Sequence, residues 1–142
     1  MCSESITVSG AEAVQPTRMG TYTKMANLVQ GERPVYQRVG STVAYMFYWP
    51  SSRDWNIGSN YTSGSSGVRS TGSAGAACPD QANGWQVLAG GAWVSTSPIT
   101  VVQTAVGNAP AYAARTSTLR VLWHFAAASI GVVLARTFAT TT

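Results

Sequence analysis

A chain of 142 residues has room for one core and at most a terminal appendage, and only 10% of its residues are charged, against about a quarter in an average soluble domain. The net charge of +4 comes from Arg and Lys scattered along the chain, which leaves no clustered basic face for nucleic acid. Catalytic groups are as scarce: the one histidine, His124, sits in an apolar tail, no Ser has a histidine base nearby in sequence, and the Gly-rich stretch precedes no Lys-bearing helix, so the chain reads as a non-enzyme.

In chain order, residues 1–5 form a short arm, residues 6–8 a first strand and residues 19–24 a second, the latter built on Thr21, Tyr22 and Thr23. Residues 1–9 lack the basic start and apolar centre of a secretory leader, so the chain either begins after processing or takes another route. Pro34 cannot donate to a ladder, so Val35-Tyr36-Gln37 reads as an edge strand or a strand start. The strongest strand signal is residues 42–50. Val43, Tyr45, Phe47 and Trp49 share one face there, and Ala44, Met46 and Tyr48 share the other. Residues 54–58 follow with Trp55 and Ile57 on one face, and residues 59–77, rich in Gly, Ser and Thr, read as loop. Gly90-Gly91, flanked by apolar and aromatic residues, predicts a tight hairpin, and residues 99–102 a last strand. The expectation is a mainly β fold: a small antiparallel sheet, sandwich or barrel of five to seven strands over residues 6–102.

Cys2 and Cys78 are too few for a disulfide framework and have no metal-ligand spacing. They read as two unpaired thiols, Cys78 packed beside Pro79, with a single long-loop bridge as the alternative.

Residues 103–114 read as an Ala, Gly and Pro linker, and residues 115–142 as one C-terminal α-helix with a tail. The uncharged run 121–135 spans only ~22 Å as a helix, short of a ~30 Å hydrocarbon core. Residues 119–138 reach further if Arg120 and Arg136 snorkel to opposite headgroup layers. The expectation is a single membrane span with the β module on an aqueous face, against the alternative of a helix packed on the sheet. Ala127 and Gly131 form a small-residue ridge for helix packing. His124 beside Trp123 reads as an interfacial histidine. The sharper alternative makes it an axial ligand to the magnesium of chlorophyll in a thylakoid membrane, and otherwise no cofactor is expected.

Binding is better supplied than catalysis. Trp and Tyr pair a broad apolar face with a hydrogen-bonding edge, which makes Tyr22, Tyr36, Tyr48, Trp49, Trp55 and Tyr61 the candidates for a glycan or protein partner. With few Leu and Ile available, most of Tyr45, Phe47, Trp55, Trp85 and Trp93 are expected in the core. Asn60-Tyr61-Thr62 also fits an N-glycosylation acceptor.

The succession Gly20-Thr21-Tyr22-Thr23, Arg33-Pro34-Val35-Tyr36-Gln37, Tyr45-Met46-Phe47-Tyr48-Trp49-Pro50, Trp55-Asn56-Ile57-Gly58, Cys78-Pro79-Asp80 and Gly84-Trp85-Gln86-Val87 resembles a Trp/Tyr-rich module of algal protists. The resemblance covers residues 6–102. It implies an all-β unit of the kind found in tandem in extracellular or membrane-attached proteins, and with a single copy here it is similar to an accessory or linker subunit. The combined expectation is a non-catalytic, membrane-anchored recognition or scaffolding protein. Its alternative is a single-span accessory or linker subunit of a large photosynthetic, pigment-binding membrane complex, in contact with other protein subunits.

Overall fold

The computed structural model describes residues 1–72, 74–95 and 98–104. Among these, nine strands form one antiparallel sheet: β1 Ser5–Ser9, β2 Gly20–Gln30, β3 Arg33–Arg38, β4 Tyr45–Trp49, β5 Asp54–Gly58, β6 Val68–Arg69, β7 Gln86–Ala89, β8 Ala92–Val94 and β9 Thr100–Gln103. The order across the sheet is β8-β7-β6-β5-β4-β3-β2-β1-β9, a meander whose last strand returns to lie beside the first. That connection dictates the shape. A flat nine-stranded sheet would hold its two edges roughly 38 Å apart at ~4.8 Å per strand. The chain from Val94 to Thr100 can span only about 21 Å. The sheet therefore curls into a half-barrel.

Curling gives the sheet an inner and an outer face, and the two-residue alternation sorts side chains between them. Ile6, Val8, Tyr22, Tyr36, Met46, Tyr48, Trp55, Ile57, Val68 and Val87 line the inner face and form one buried cluster. Two irregular segments close it. The first carries Ala11, the 3-10 turn Pro16–Arg18 and Met19, with Gln15 Nε2 donating to Leu88 O at 2.8 Å and Arg18 Nε to Ile57 O at 3.2 Å. The second carries Ala76, whose carbonyl accepts from Trp55 Nε1 at 3.1 Å and Arg33 Nε at 2.8 Å, then the 3-10 turn Pro79–Gln81 and Trp85.

Two buried phenols of the inner face titrate late. Burial pushes the Tyr36 hydroxyl up to about 12, with the negative charges of Asp80 and Glu4 adding to it, and its O–H donates to Ser3 O at 2.9 Å. Burial also raises Tyr22, against the opposing pull of Arg38 and Arg18, and its O–H donates to Arg18 O at 2.7 Å. A raised folded-state pKa means that the unfolded chain releases these protons first, so stability is full below pH ~10 and falls as pH rises towards 12. Urea midpoints measured across that range should decline, and Tyr36→Phe should flatten the decline.

Pro34 does start a strand, but not an edge one: β3 lies between β2 and β4. β3 pairs with β4 at Tyr36 and Gln37, so the missing N–H of Pro34 falls outside that ladder. The strand count exceeds the expected five to seven partly because β6 sits inside the Gly/Ser/Thr stretch. Only Val68 there is apolar enough for the core, and pairing with β5 on one side and β7 on the other holds the strand. The Gly90-Gly91 hairpin is present, with φ of 57° and 84° at its two glycines.

The cysteines are not unpaired thiols: Cys2 and Cys78 form a disulfide, with Cα atoms 5.3 Å apart. The hydrogen bond from Tyr36 to Ser3 fixes the arm, which removes the reason to treat Cys2 as belonging to a free terminus. The sheet also runs past residue 102, since β9 includes Gln103 and Thr104 N donates to Ser5 O at 3.0 Å. The rest of the expected linker, the C-terminal helix, His124, Ala127 and Gly131 lie outside the described residues. Among the described residues no helix is long and apolar enough to cross a membrane.

Candidate recognition surface on the outer face

Four of the six aromatic candidates are inner-face residues. Tyr22, Tyr36 and Trp55 are fully buried and Tyr48 is 5% exposed, so none offers a ring to a ligand. Their phenol and indole groups serve the fold instead, as Tyr22, Tyr36 and Trp55 each donate to a backbone carbonyl. Tyr48 lies beneath the Arg33 guanidinium, 3.7 Å from its ring centre, and edge-on to Trp55.

Trp49 and Tyr61 are different, because both are half-buried and belong to the outer side. Register explains how they are placed. Met46 and Tyr48 face inward, so Tyr45, Phe47 and Trp49 must face outward. Phe47 is fully buried and meets the Trp49 ring edge-on at 6.3 Å. Loop 59–67 returns over this side. Tyr61 packs edge-on against Tyr45 at 5.2 Å, and Ser66 Oγ donates to the buried Asn56 Oδ1 at 2.9 Å. Gly64 lies so close to the Trp49 indole that a Cβ there would come within 2.9 Å of it.

A polar row continues the surface. Asn56 pairs with Arg69 and Arg69 with Gln86, so the row crosses three strands, and Asn56 meets the buried Phe47 of β4 on its other side. Arg69 Nε donates to Gln86 Oε1 at 3.2 Å, Gln86 Nε2 donates to Ser95 Oγ at 3.1 Å, and the Arg69 guanidinium stacks 4.2 Å over the Trp93 ring. The outer face therefore carries the half-buried rings Tyr45, Trp49, Tyr61 and Trp93, with carboxamide, guanidinium and hydroxyl groups on the same face. Rings of this kind can stack on an apolar face of a ligand while the adjacent polar groups bond its rim.

Tyr45 and Trp93 were expected in the core and belong to this surface instead. The hairpin holds the signal for Trp93: a two-residue turn places it opposite Leu88, while Val87 meets Val94, and that aliphatic pair is the better core pair.

Elsewhere, two open grooves of about 370 Å³ and 280 Å³ flank the β2–β3 hairpin, and neither is lined by an aromatic residue. Among the described residues no three His, Cys, Asp or Glu side chains gather as metal ligands. Asp80 Oδ2 accepts from Gln103 Nε2 at 2.9 Å, while Oδ1 is buried without a hydrogen-bond partner among the described residues. No family model matches this chain, and neither a curated protein nor a solved structure matches it.

Proposed function

We propose that this chain is a non-catalytic recognition protein whose β module binds a glycan through its outer face, with the apolar run of residues 119–138 as its tether to a membrane. One observation carries the glycan reading: Tyr45, Trp49, Tyr61 and Trp93 are half-buried on the same face as the partly exposed Arg69 and Gln86. A sugar ring has an apolar C–H face and a hydroxyl rim, and both find partners there. The separated rings and the neutral, hydroxyl-rich loop beside them suit a sugar chain better than the continuous apolar core of a protein interface. The contacts around Arg69 and Gln86 hold the polar groups in place before a ligand arrives, which lowers the ordering cost of binding.

A half-exposed indole that buries a further ~50–80 Å² contributes roughly 1–2 kcal/mol. Trp49→Ala is therefore expected to weaken binding to the preferred glycan of an array about tenfold, and Trp93→Ala by a similar factor. Both residues are half-buried, so the variants should fold. Loss of a co-purifying protein from Trp49→Ala on a blank array would replace the glycan with a protein ligand. Unchanged glycan retention by both folded variants would overturn the assignment of the site.

A further inference from the structure

We propose that Asn60 is a site of N-linked glycosylation and that the chain matures in an oxidising compartment. Two separate parts of the molecule lead there. The first is the acceptor triplet Asn60-Tyr61-Thr62, in which Asn60 and Thr62 are exposed on the loop after β5. The backbone N–H and the Oγ1–H of Thr62 both donate to Asn60 Oδ1 at 2.9 Å, and Ser63 N donates to Asn60 O at 3.4 Å. The triplet is thus folded on itself, with the hydroxyl that the acceptor motif requires already on the asparagine carboxamide. Tyr61 between them is anchored to the sheet by its ring contact with Tyr45, so a sugar chain on Asn60 disturbs no core packing.

The second is the Cys2–Cys78 disulfide. Disulfides persist in secretory and extracellular compartments and are rare where glutathione keeps thiols reduced. A lumenal or extracellular face is also where such an acceptor is modified. The bridge lies in the arm and the inner-face loop, remote in sequence from Asn60, so the two observations stand independently of one another. They also stand independently of any ligand on the outer face.

In the reaction, Asn60 Nδ2 attacks C1 of the first sugar of an oligosaccharide carried on a lipid pyrophosphate. The Nδ2–C1 bond forms, and the bond from C1 to the pyrophosphate oxygen breaks with its electron pair leaving on the lipid pyrophosphate. One Nδ2 proton passes to a base of the transferase.

The test uses the full chain isolated from the cells that make it, treated with peptide-N-glycosidase in heavy-oxygen water and read by peptide mass spectrometry. Residue 60 is expected as Asp carrying the heavy oxygen, and Cys2 and Cys78 as a linked peptide pair when free thiols are first blocked. In full chain passed through a secretory host, Thr62→Val should abolish the deglycosylation shift and Thr62→Ser should keep it. Recovery of residue 60 as unmodified Asn in every copy would overturn the site. Recovery of both cysteines as blocked thiols would overturn the compartment.

Discussion

Trp55→Ala is expected to destabilise the β module by about 3–5 kcal/mol, a large part of the 5–15 kcal/mol by which a domain is ordinarily stable. Trp55 is fully buried on the inner face of β5 and packs edge-on against Tyr48 at 5.9 Å. Its indole also holds the closing segment down, because Nε1 donates to Ala76 O at 3.1 Å. Alanine removes the ring volume and that bond together, and β5 lies near the middle of the sheet, where neighbours on both sides limit collapse into the cavity. Trp55→Phe separates the two effects. It keeps most of the ring, and Arg33 Nε still donates to Ala76 O, so its cost should be only about 1–2 kcal/mol. Urea denaturation followed by far-UV circular dichroism gives both values. A loss below about 1 kcal/mol for the alanine variant would mean that Trp55 is not a core residue.

Loss of the Cys2–Cys78 bridge is expected to cost about 4 kcal/mol. The bridge joins residues separated by 76 positions, and in the chain-entropy account a loop of that length strongly restricts the unfolded ensemble. Native contacts change less. The arm remains bonded through Ser3 O to the Tyr36 hydroxyl, and Thr104 N remains bonded to Ser5 O. The Cys2→Ala, Cys78→Ala protein should therefore keep the strand signature of the parent while its urea midpoint falls. The unbridged unfolded chain is also more expanded, so the dependence of stability on urea should steepen. Equal midpoints for bridged and unbridged protein would show that the bridge contributes nothing to the stability of the module.

The strands that carry their own period could be read directly. Residues 42–50 alternate so strongly that the two faces of β4 were visible, and Gly90-Gly91 announced its hairpin because both positions adopt φ values that most residues avoid. β6 could not be read. Its two residues become a strand only because β5 and β7 bond to either side, a tertiary effect with no local periodicity. The disulfide was hidden for a similar reason: nothing near Cys2 or Cys78 in sequence reports that the curl of the sheet brings them together. Which aromatic candidates are accessible turns on a subtler point. Alternation shows which residues share a face but not which face the closing segments will cover. Residues 11–19 and 76–85 cover the face of Tyr22, Tyr36, Tyr48 and Trp55, leaving Trp49 with Tyr45 on the other. Tyr61 is legible in the sequence as a loop aromatic, while Arg69 is not, because its value lies in the cross-strand row it joins.

The separation of an enclosed inner face from an outer face proposed to bind a ligand is tested most directly by the tryptophan indole N–H signals in a two-dimensional NMR spectrum, assigned by single Trp→Phe variants. Trp55 and Trp85 donate to Ala76 O and Ala82 O, so their N–H signals should exchange slowly with solvent and stay fixed when the array-selected glycan is added. Those of Trp49 and Trp93 should exchange fast and shift on titration. Slow exchange at Trp49 and Trp93, or a ligand-induced shift confined to Trp55 and Trp85, would contradict the account.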